Sequence, residues 1–271
     1  VPELPEVETT RRGIEPELRG RVLRECRVHE PRLRWRVPAT LARAVAGQAV
    51  RGVGRRAKYL LITLERGTLI LHLGMSGSLR VMPAASPRLA HDHLELVLDS
   101  GQALRLHDPR RFGSCHYTEA DPALHPLLAQ LAPEPLEPGF DGAYLHRVTR
   151  RRRIAIKQLL LNGRLVTGVG NIYASEALFR ARIRPRRAAR SLTLAECRAL
   201  AAAIRRVLTM AIRSGGTTLR DYVGADGTPG YFRQKLYVYE RAGQPCRRCA
   251  TPLRQLTQGA RSTYYCPSCQ R

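Results

Sequence analysis

Two cysteine pairs near the C-terminus restrict the fold of this chain more than any other feature. Cys246 and Cys249 are two residues apart, Cys266 and Cys269 likewise, and sixteen residues lie between the pairs. Four thiolates at this spacing close a tetrahedron around one Zn2+ and leave no open position, so the expected metal is structural rather than catalytic. A disulfide pairing is the weaker reading, because nothing at the N-terminus resembles a secretory signal. Tyr264 and Tyr265 beside the second pair fit a two-stranded hairpin, and Arg247, Arg248, Arg254 and Arg261 make it a basic finger.

The other 240-odd residues divide by pattern. An opening helix is expected to run to about Leu18, and residues 21–28 form a plausible first strand. Tyr59 to Leu64 and Thr68 to Leu73 are apolar runs joined by Glu65-Arg66-Gly67; His93 to Leu98 and Gln102 to Leu106 are joined by Asp99-Ser100-Gly101. Two tight hairpins in succession predict an antiparallel sandwich or barrel. Five prolines between Asp121 and Phe140 mark a linker, with one short helix expected around Leu127 to Leu131. Beyond it the periodicity is helical. Helices are expected over Ala143 to Leu161, Ile172 to Arg182 and Ser191 to Ser214, the last opened by a Thr193-x-x-Glu196 capping box. The fold class is therefore α+β and multidomain, and the glycine-rich connector at 163–171 suits a device that grips a phosphate backbone. No apolar run approaches a membrane span, and a soluble cytoplasmic protein is expected.

Charge points to the partner. The net charge is +24, carried as +4 by residues 1–140 and +20 by residues 141–271. So one-sided an excess calls for a polyanion, and nucleic acid is the expected one. Arginine supplies 43 of the 46 basic residues, and only Lys58, Lys157 and Lys235 are lysine. Lysine can lose its proton where guanidinium cannot, so these three are candidates for chemistry closed to arginine. Cys26, Cys115 and Cys197 are scattered and read as inert core residues.

The first ten residues, Val-Pro-Glu-Leu-Pro-Glu-Val-Glu-Thr-Thr, suit a helix start. They also hold a chemical possibility. With Pro2 as the first residue, its nitrogen would be a secondary amine beside the Glu3 carboxylate, unprotonated in useful fraction near neutral pH. Val1 is expected to be a GUG start codon translated literally, with the initiating Met removed before Pro, so that the working chain begins at Pro2. Further along, His107-Asp-Pro-Arg-Arg-Phe-Gly113 ends a strand with a basic and aromatic tip of the kind that wedges into a base stack, and Met75 in Gly74-Met-Ser-Gly77 sits on another tip.

Taken together these stretches resemble the bacterial formamidopyrimidine-DNA glycosylase family. The resemblance rests on Pro2-Glu-Leu-Pro-Glu-Val-Glu-Thr-Thr10, Leu71-His-Leu-Gly-Met-Ser-Gly77, His91-Asp-His93, Asp108-Pro-Arg-Arg-Phe-Gly113, Gly168-Val-Gly-Asn-Ile-Tyr-Ala174 and the four cysteines, in family order along nearly the whole chain. It implies an N-terminal β-sandwich with its helix over residues 1–130, a linker at 131–142, a helix–two-turn–helix module at 143–235 containing a lesion loop at 215–230, and a zinc finger at 236–271. DNA would lie in the cleft between the domains.

The resemblance also implies roles. Pro2 would be the nucleophile, Glu3 the acid/base group, Lys58 the assistant of the first elimination and Arg261 of the second. His91, Arg110, Arg152, Lys157 and Asn171 would contact DNA, while Met75, Arg110 and Phe112 would fill the space of the flipped nucleotide. The implied activity is excision of oxidised purines from double-stranded DNA with cleavage at the abasic site, by a monomer close to the nucleoid. Lys235 receives no role. Two alternatives stay open: an endonuclease VIII-like enzyme for oxidised pyrimidines, which Leu4 and the 215–230 loop disfavour, and a non-catalytic zinc protein that binds DNA.

Overall fold

The computed structural model describes residues 2–217 and 235–271. They form two compact units, residues 2–129 with 214–217 and residues 130–213 with 235–271. Of the expected lesion loop, 218–230 lies outside the described residues.

The first unit begins with α1 (Leu4–Leu18), β1 (Leu23–Val28), the short α2 (Leu41–Val45), β2 (Val50–Arg56), β3 (Tyr59–Leu64) and β4 (Thr68–His72). It continues with β5 (Ser78–Pro83), β6 (Asp92–Leu98), β7 (Gln102–His107) and β8 (Ser114–Thr118). These make two antiparallel four-stranded sheets, ordered β1-β6-β7-β5 and β2-β3-β4-β8. Alternation along β3 turns Leu60, Ile62 and Leu64 inward, and they meet Leu94, Leu96, Leu98, Leu104 and Leu106 of the facing sheet in one core. α1 joins that core through Val7, Ile14 and Leu18, spaced to share one helix face. Arg55 of β2 ties the helix to its sheet at 3.2 Å from Glu8. Both expected hairpins are present, β3–β4 and β6–β7.

Two further connections matter more for the site. The turn bearing Met75 was expected as a hairpin tip. It is instead a crossover, since β4 and β5 belong to different sheets, and the segment from Asp108 to Gly113 crosses back from β7 to β8.

The second unit contains α3 (Gly142–Thr149), α4 (Ile156–Leu160), α5 (Asn171–Arg180), α6 (Leu194–Arg213) and the hairpin β9 (Arg254–Gln258) with β10 (Arg261–Tyr265). Two expectations need correction. The helix expected over Ala143 to Leu161 is two helices, because Ala155 takes an extended conformation and bridges to Ala188, after a run of four adjacent arginines that repel one another. The helix expected at Leu127 to Leu131 is only turns, since five residues ahead of Pro133 cannot repay helix nucleation; the regular element nearby is a 3₁₀ turn at Pro122–Leu124. The Thr193–Glu196 capping box forms in both directions, at 2.8 and 3.2 Å. No helix among the described residues is long and apolar enough to cross a membrane.

α5 also carries the finger. Phe179 shares a buried cluster with Val238, Cys246, Leu253 and Cys266. Glu176, 1% exposed, accepts backbone N–H groups from Tyr237, Val238 and Tyr239 at 2.9–3.1 Å, which fixes the strand of chain leading into the finger. Burial pushes its carboxyl up and the three N–H groups draw it back. Glu176→Ala should cost about 3 kcal/mol or more of urea-unfolding free energy, because each orphaned N–H costs roughly 1–3 kcal/mol; Glu176→Gln keeps an acceptor and should cost less.

Candidate active site and nucleic-acid interface

In the first unit the chain start is held by one carboxylate. Glu3 is the N-cap of α1 and 2% exposed, and its N–H donates to Glu6 Oε2 at 2.8 Å. Glu6 Oε1 accepts the N–H of Thr217, also at 2.8 Å. Pro2 is buried beside this clamp. At Gly216, with φ +81°, a side chain would meet Glu6 at 3.2 Å, so the segment reaches the helix start only as glycine. The clamp puts Pro2 and Glu3 next to the point where the 215–230 segment begins.

Lys58 lies in the two-residue turn between β2 and β3, after Ala57 at φ 53°. Its charge is felt by His72 on the neighbouring strand, whose ring sits 4.8 Å from that of Tyr59. Burial first, then the positive charges of Lys58 and Arg34, hold the His72 imidazole down at about 4. It is therefore neutral at pH 7, and its Nδ1 accepts the N–H of Gly74 at 3.0 Å. No sequence pattern marks His72; the signal available is Lys58, in the turn next to Tyr59, the residue paired with His72.

The two crossovers meet on Asp108, which is fully buried. Its Oδ1 accepts from Ser76 Oγ and its Oδ2 from the Gly113 N–H, both at 2.7 Å. Ser76 Oγ in turn accepts from the Arg110 N–H at 3.3 Å. Gly74, at φ +62°, packs so closely on Phe112 that a Cβ would lie 2.4 Å from its carbonyl carbon. The result is a shared base from which Met75 (38% exposed) and Phe112 (42% exposed) project, with the Arg110 guanidinium 5.0 Å from the Phe112 ring centre. Met75, Arg110 and Phe112 are thus brought together as expected of a wedge. His91 is exposed next to them, its carbonyl accepting the Asp108 N–H at 2.9 Å. The sequence motifs assign Asp108 itself no role.

In the second unit Lys157 is placed inside, not at the surface. It is 0% exposed, and its Nζ donates to Asn171 Oδ1 at 2.6 Å, Thr263 Oγ1 at 2.7 Å and Ser262 O at 2.9 Å. These three acceptors hold the ammonium inside the unit, where α4, α5 and β10 meet. Asn171 Nδ2 donates to the same Ser262 carbonyl at 2.9 Å. Lys157 and Asn171 together pin the residue after Arg261, which is exposed at the start of β10. Arg152 is exposed elsewhere, lining a shallow basic pocket with Arg147, Arg150 and Arg151, while Arg261 shares a pocket with Gln158, Asn162 and Gln258. Lys235 is exposed.

The four cysteine sulfurs of the finger lie within 4.8 Å of one another, with Cys246–Cys269 at 4.0 Å and Cys249–Cys266 at 3.5 Å. A tetrahedral zinc with Zn–S bonds of about 2.3 Å sets its sulfurs about 3.8 Å apart, so the residues fit that ion. By contrast Cys26, Cys115 and Cys197 are buried and have raised thiol pKa values, Cys26 at about 12, as inert core residues should.

Comparison with known domains decides the relationship. Residues 1–115 match the formamidopyrimidine-DNA glycosylase N-terminal domain, residues 131–223 its H2TH domain and residues 243–271 the zinc finger found in FPG and IleRS. The chain belongs to the formamidopyrimidine-DNA glycosylase family. A family member from Thioalkalivibrio sulfidiphilus is 60% identical over 271 residues, covering 100% of both chains. The crystal structure of the MutM (Fpg) protein from Thermus thermophilus superposes with TM-score 0.89 at 44% identity, covering 99% of this chain and 98% of that one. Two Lactococcus lactis complexes, both 33% identical and covering 100% of both chains, give TM-scores of 0.94 and 0.92. The first holds a variant with Fapy-dG-containing DNA, the second the wild-type protein with DNA containing an oxidised pyrimidine. The family's fold is therefore this chain's fold, with antiparallel sheets, helical module and finger.

The neutral state of His72 has a pH signature. Its value in the folded chain, about 4, lies below the ordinary 6.5, so between those limits the unfolded chain binds the extra proton and stability rises with pH. Unfolding free energy measured across that window should rise by about 3 kcal/mol more in the unsubstituted protein than in His72→Asn, at roughly 1.4 kcal/mol per pH unit.

Proposed function

We propose that this protein is a DNA glycosylase that excises oxidised purines, chiefly 8-oxoguanine and formamidopyrimidines, and then cleaves the strand at the abasic site. The observation that carries this reading is the first unit's construction. The same unit holds the Pro2–Glu3 helix start, Lys58, and a three-residue wedge rooted on one buried carboxylate. A stacked nucleotide cannot be attacked at C1′, so the chemistry needs extrusion, and extrusion needs side chains to occupy the vacated space. Met75, Arg110 and Phe112 supply them.

In this mechanism the Pro2 nitrogen, as a terminal amine, forms a bond to C1′ while the glycosidic bond breaks and the base departs with the electron pair and a proton. Glu3 protonates the ring oxygen O4′ as the sugar opens, leaving an iminium between Pro2 and C1′. The cationic iminium acidifies the C2′ proton; its removal, assisted by Lys58, expels the 3′ phosphate. A second elimination served by Arg261 expels the 5′ phosphate, and water then releases Pro2. His91 and Arg152 contact the DNA backbone, and Lys157 acts through Asn171 and Ser262 to hold Arg261. One Zn2+ on Cys246, Cys249, Cys266 and Cys269 keeps the β9–β10 hairpin folded and takes no part in the chemistry.

Borohydride should trap a covalent adduct between abasic DNA and a chain whose intact mass begins at Pro2. No adduct with such a chain would leave only a DNA-binding protein. Excision of 8-oxoguanine should exceed that of thymine glycol; the reverse order would assign the endonuclease VIII-like specificity, a comparison made pointed by the relative seen on oxidised-pyrimidine DNA. Chelation should remove one zinc per chain and, with the finger unfolded, abolish DNA binding; retained binding by metal-free protein would exclude the structural role.

A further inference from the structure

The loop between β1 and α2 turns two adjacent residues outward beside the wedge. Leu33 and Val37 are buried in the sandwich core, and Arg32 bridges to Arg36, so the intervening Arg34 and Trp35 are displayed at the surface. The Arg34 guanidinium stacks 4.7 Å from the Trp35 ring centre, and Trp35, 39% exposed, is braced edge-on by His116 at 5.6 Å. The Arg34 N–H donates to Gly113 O at 3.1 Å, which fastens this loop to the crossover that carries Arg110 and Phe112. Arg34 is also close enough for its charge to act on Tyr59 and His72, the neighbours of Lys58.

Its surroundings make Arg34 unusual. Arg32 and Arg111, on either side, both pair with Glu30, at 2.7 and 3.5 Å. Among the described residues Arg34 has neither a carboxylate partner nor a side-chain hydrogen bond. A guanidinium seated over an indole keeps all five donors while its conformational freedom is already restricted, so an anion meeting it loses little entropy. The same Arg-on-aromatic arrangement occurs at Arg110 and Phe112, one hydrogen bond away.

We infer that Arg34, carried on Trp35, is a further DNA contact of the wedge face, gripping a backbone phosphate next to the nucleotide that the wedge displaces. The inference rests on the glycosylase reading above. It requires no base recognition, so its effect should be equal on damaged and undamaged duplexes.

The test is the salt dependence of binding to a duplex carrying a tetrahydrofuran abasic analogue and to its undamaged counterpart. Removing one phosphate contact lowers the slope of log K against log salt by about 1. Arg34→Ala should show that decrease and weaken both complexes about tenfold at moderate salt. Trp35→Ala should give part of the loss and Trp35→Phe, which retains a ring under the guanidinium, should restore it. Arg12→Ala is the control for bulk charge, because Arg12 is exposed and its partner Glu8 keeps Arg11 and Arg55. Trp35 is the chain's single tryptophan, so its fluorescence should become less accessible to acrylamide when either duplex binds. An unchanged slope in Arg34→Ala, an equal decrease in Arg12→Ala, or unaltered quenching on binding would each overturn the contact. Trapping on abasic DNA by the unsubstituted protein is read separately, so a failed Arg34 contact leaves the functional reading standing.

Discussion

The buried carboxylate of Asp108 is the interaction on which the rest of the first unit's working face depends. A carboxylate with no exposure is tolerated in an apolar core only when its lone pairs are occupied, and here Ser76 and Gly113 occupy them from opposite crossovers. The cost of burying the charge is offset by what it joins. Strands β4 and β5 lie in different sheets, as do β7 and β8, but β4 pairs with β8 at His72–Ser114 and β5 with β7 at Ser78–His107, so sheet pairing already brings the ends of the two crossovers together. Asp108 joins their middles. Met75, Arg110 and Phe112 project from the resulting base, and the Arg34 loop is fastened to the same place through Gly113.

Lys157 performs the corresponding service in the second unit with the opposite charge. Its ammonium donates to Asn171, Ser262 and Thr263, and so joins α4, α5 and β10. Glu176 joins α5 to the approach to the finger. The finger is thus seated on α5 by two buried ions and one shared apolar cluster as well as by its cysteines. In both units a buried charge supports exposed groups of the kind that meet DNA, an arrangement in which rigidity is placed behind the contact surface and not within it.

Much of this was legible in the sequence because it follows from local pattern. The cysteine spacing, the proline- and glutamate-rich start of α1, the two hairpin turns and the Thr193 capping box all act within a few residues of themselves. Met75, Arg110 and Phe112 could be picked out as tip residues on the same grounds. What was not legible depends on which distant residue fills a position. Nothing in the sequence around Lys157 says that Thr263 and Ser262 will surround it, so a buried staple looks like a surface cation. Asp108 sits in full view among Pro109, Arg110 and Arg111, yet its importance comes from Ser76, 32 positions earlier. The helix expected to reach Leu161 fails for the same reason, since Ala155 pairs with Ala188.

The central claim is that Asp108 sets the wedge and that the wedge serves extrusion rather than the chemistry at C1′. The most direct test is Asp108→Asn, which keeps one acceptor and replaces the other by a donor facing the Gly113 N–H. Single-turnover removal of 8-oxoguanine from a duplex should be compared with strand cleavage at a ready-made abasic site, in protein shown by thermal melting to be folded. The account predicts that base removal falls by ten- to a hundredfold while abasic-site cleavage changes by no more than a few-fold. Equal losses in both reactions, or no loss in either, would contradict it.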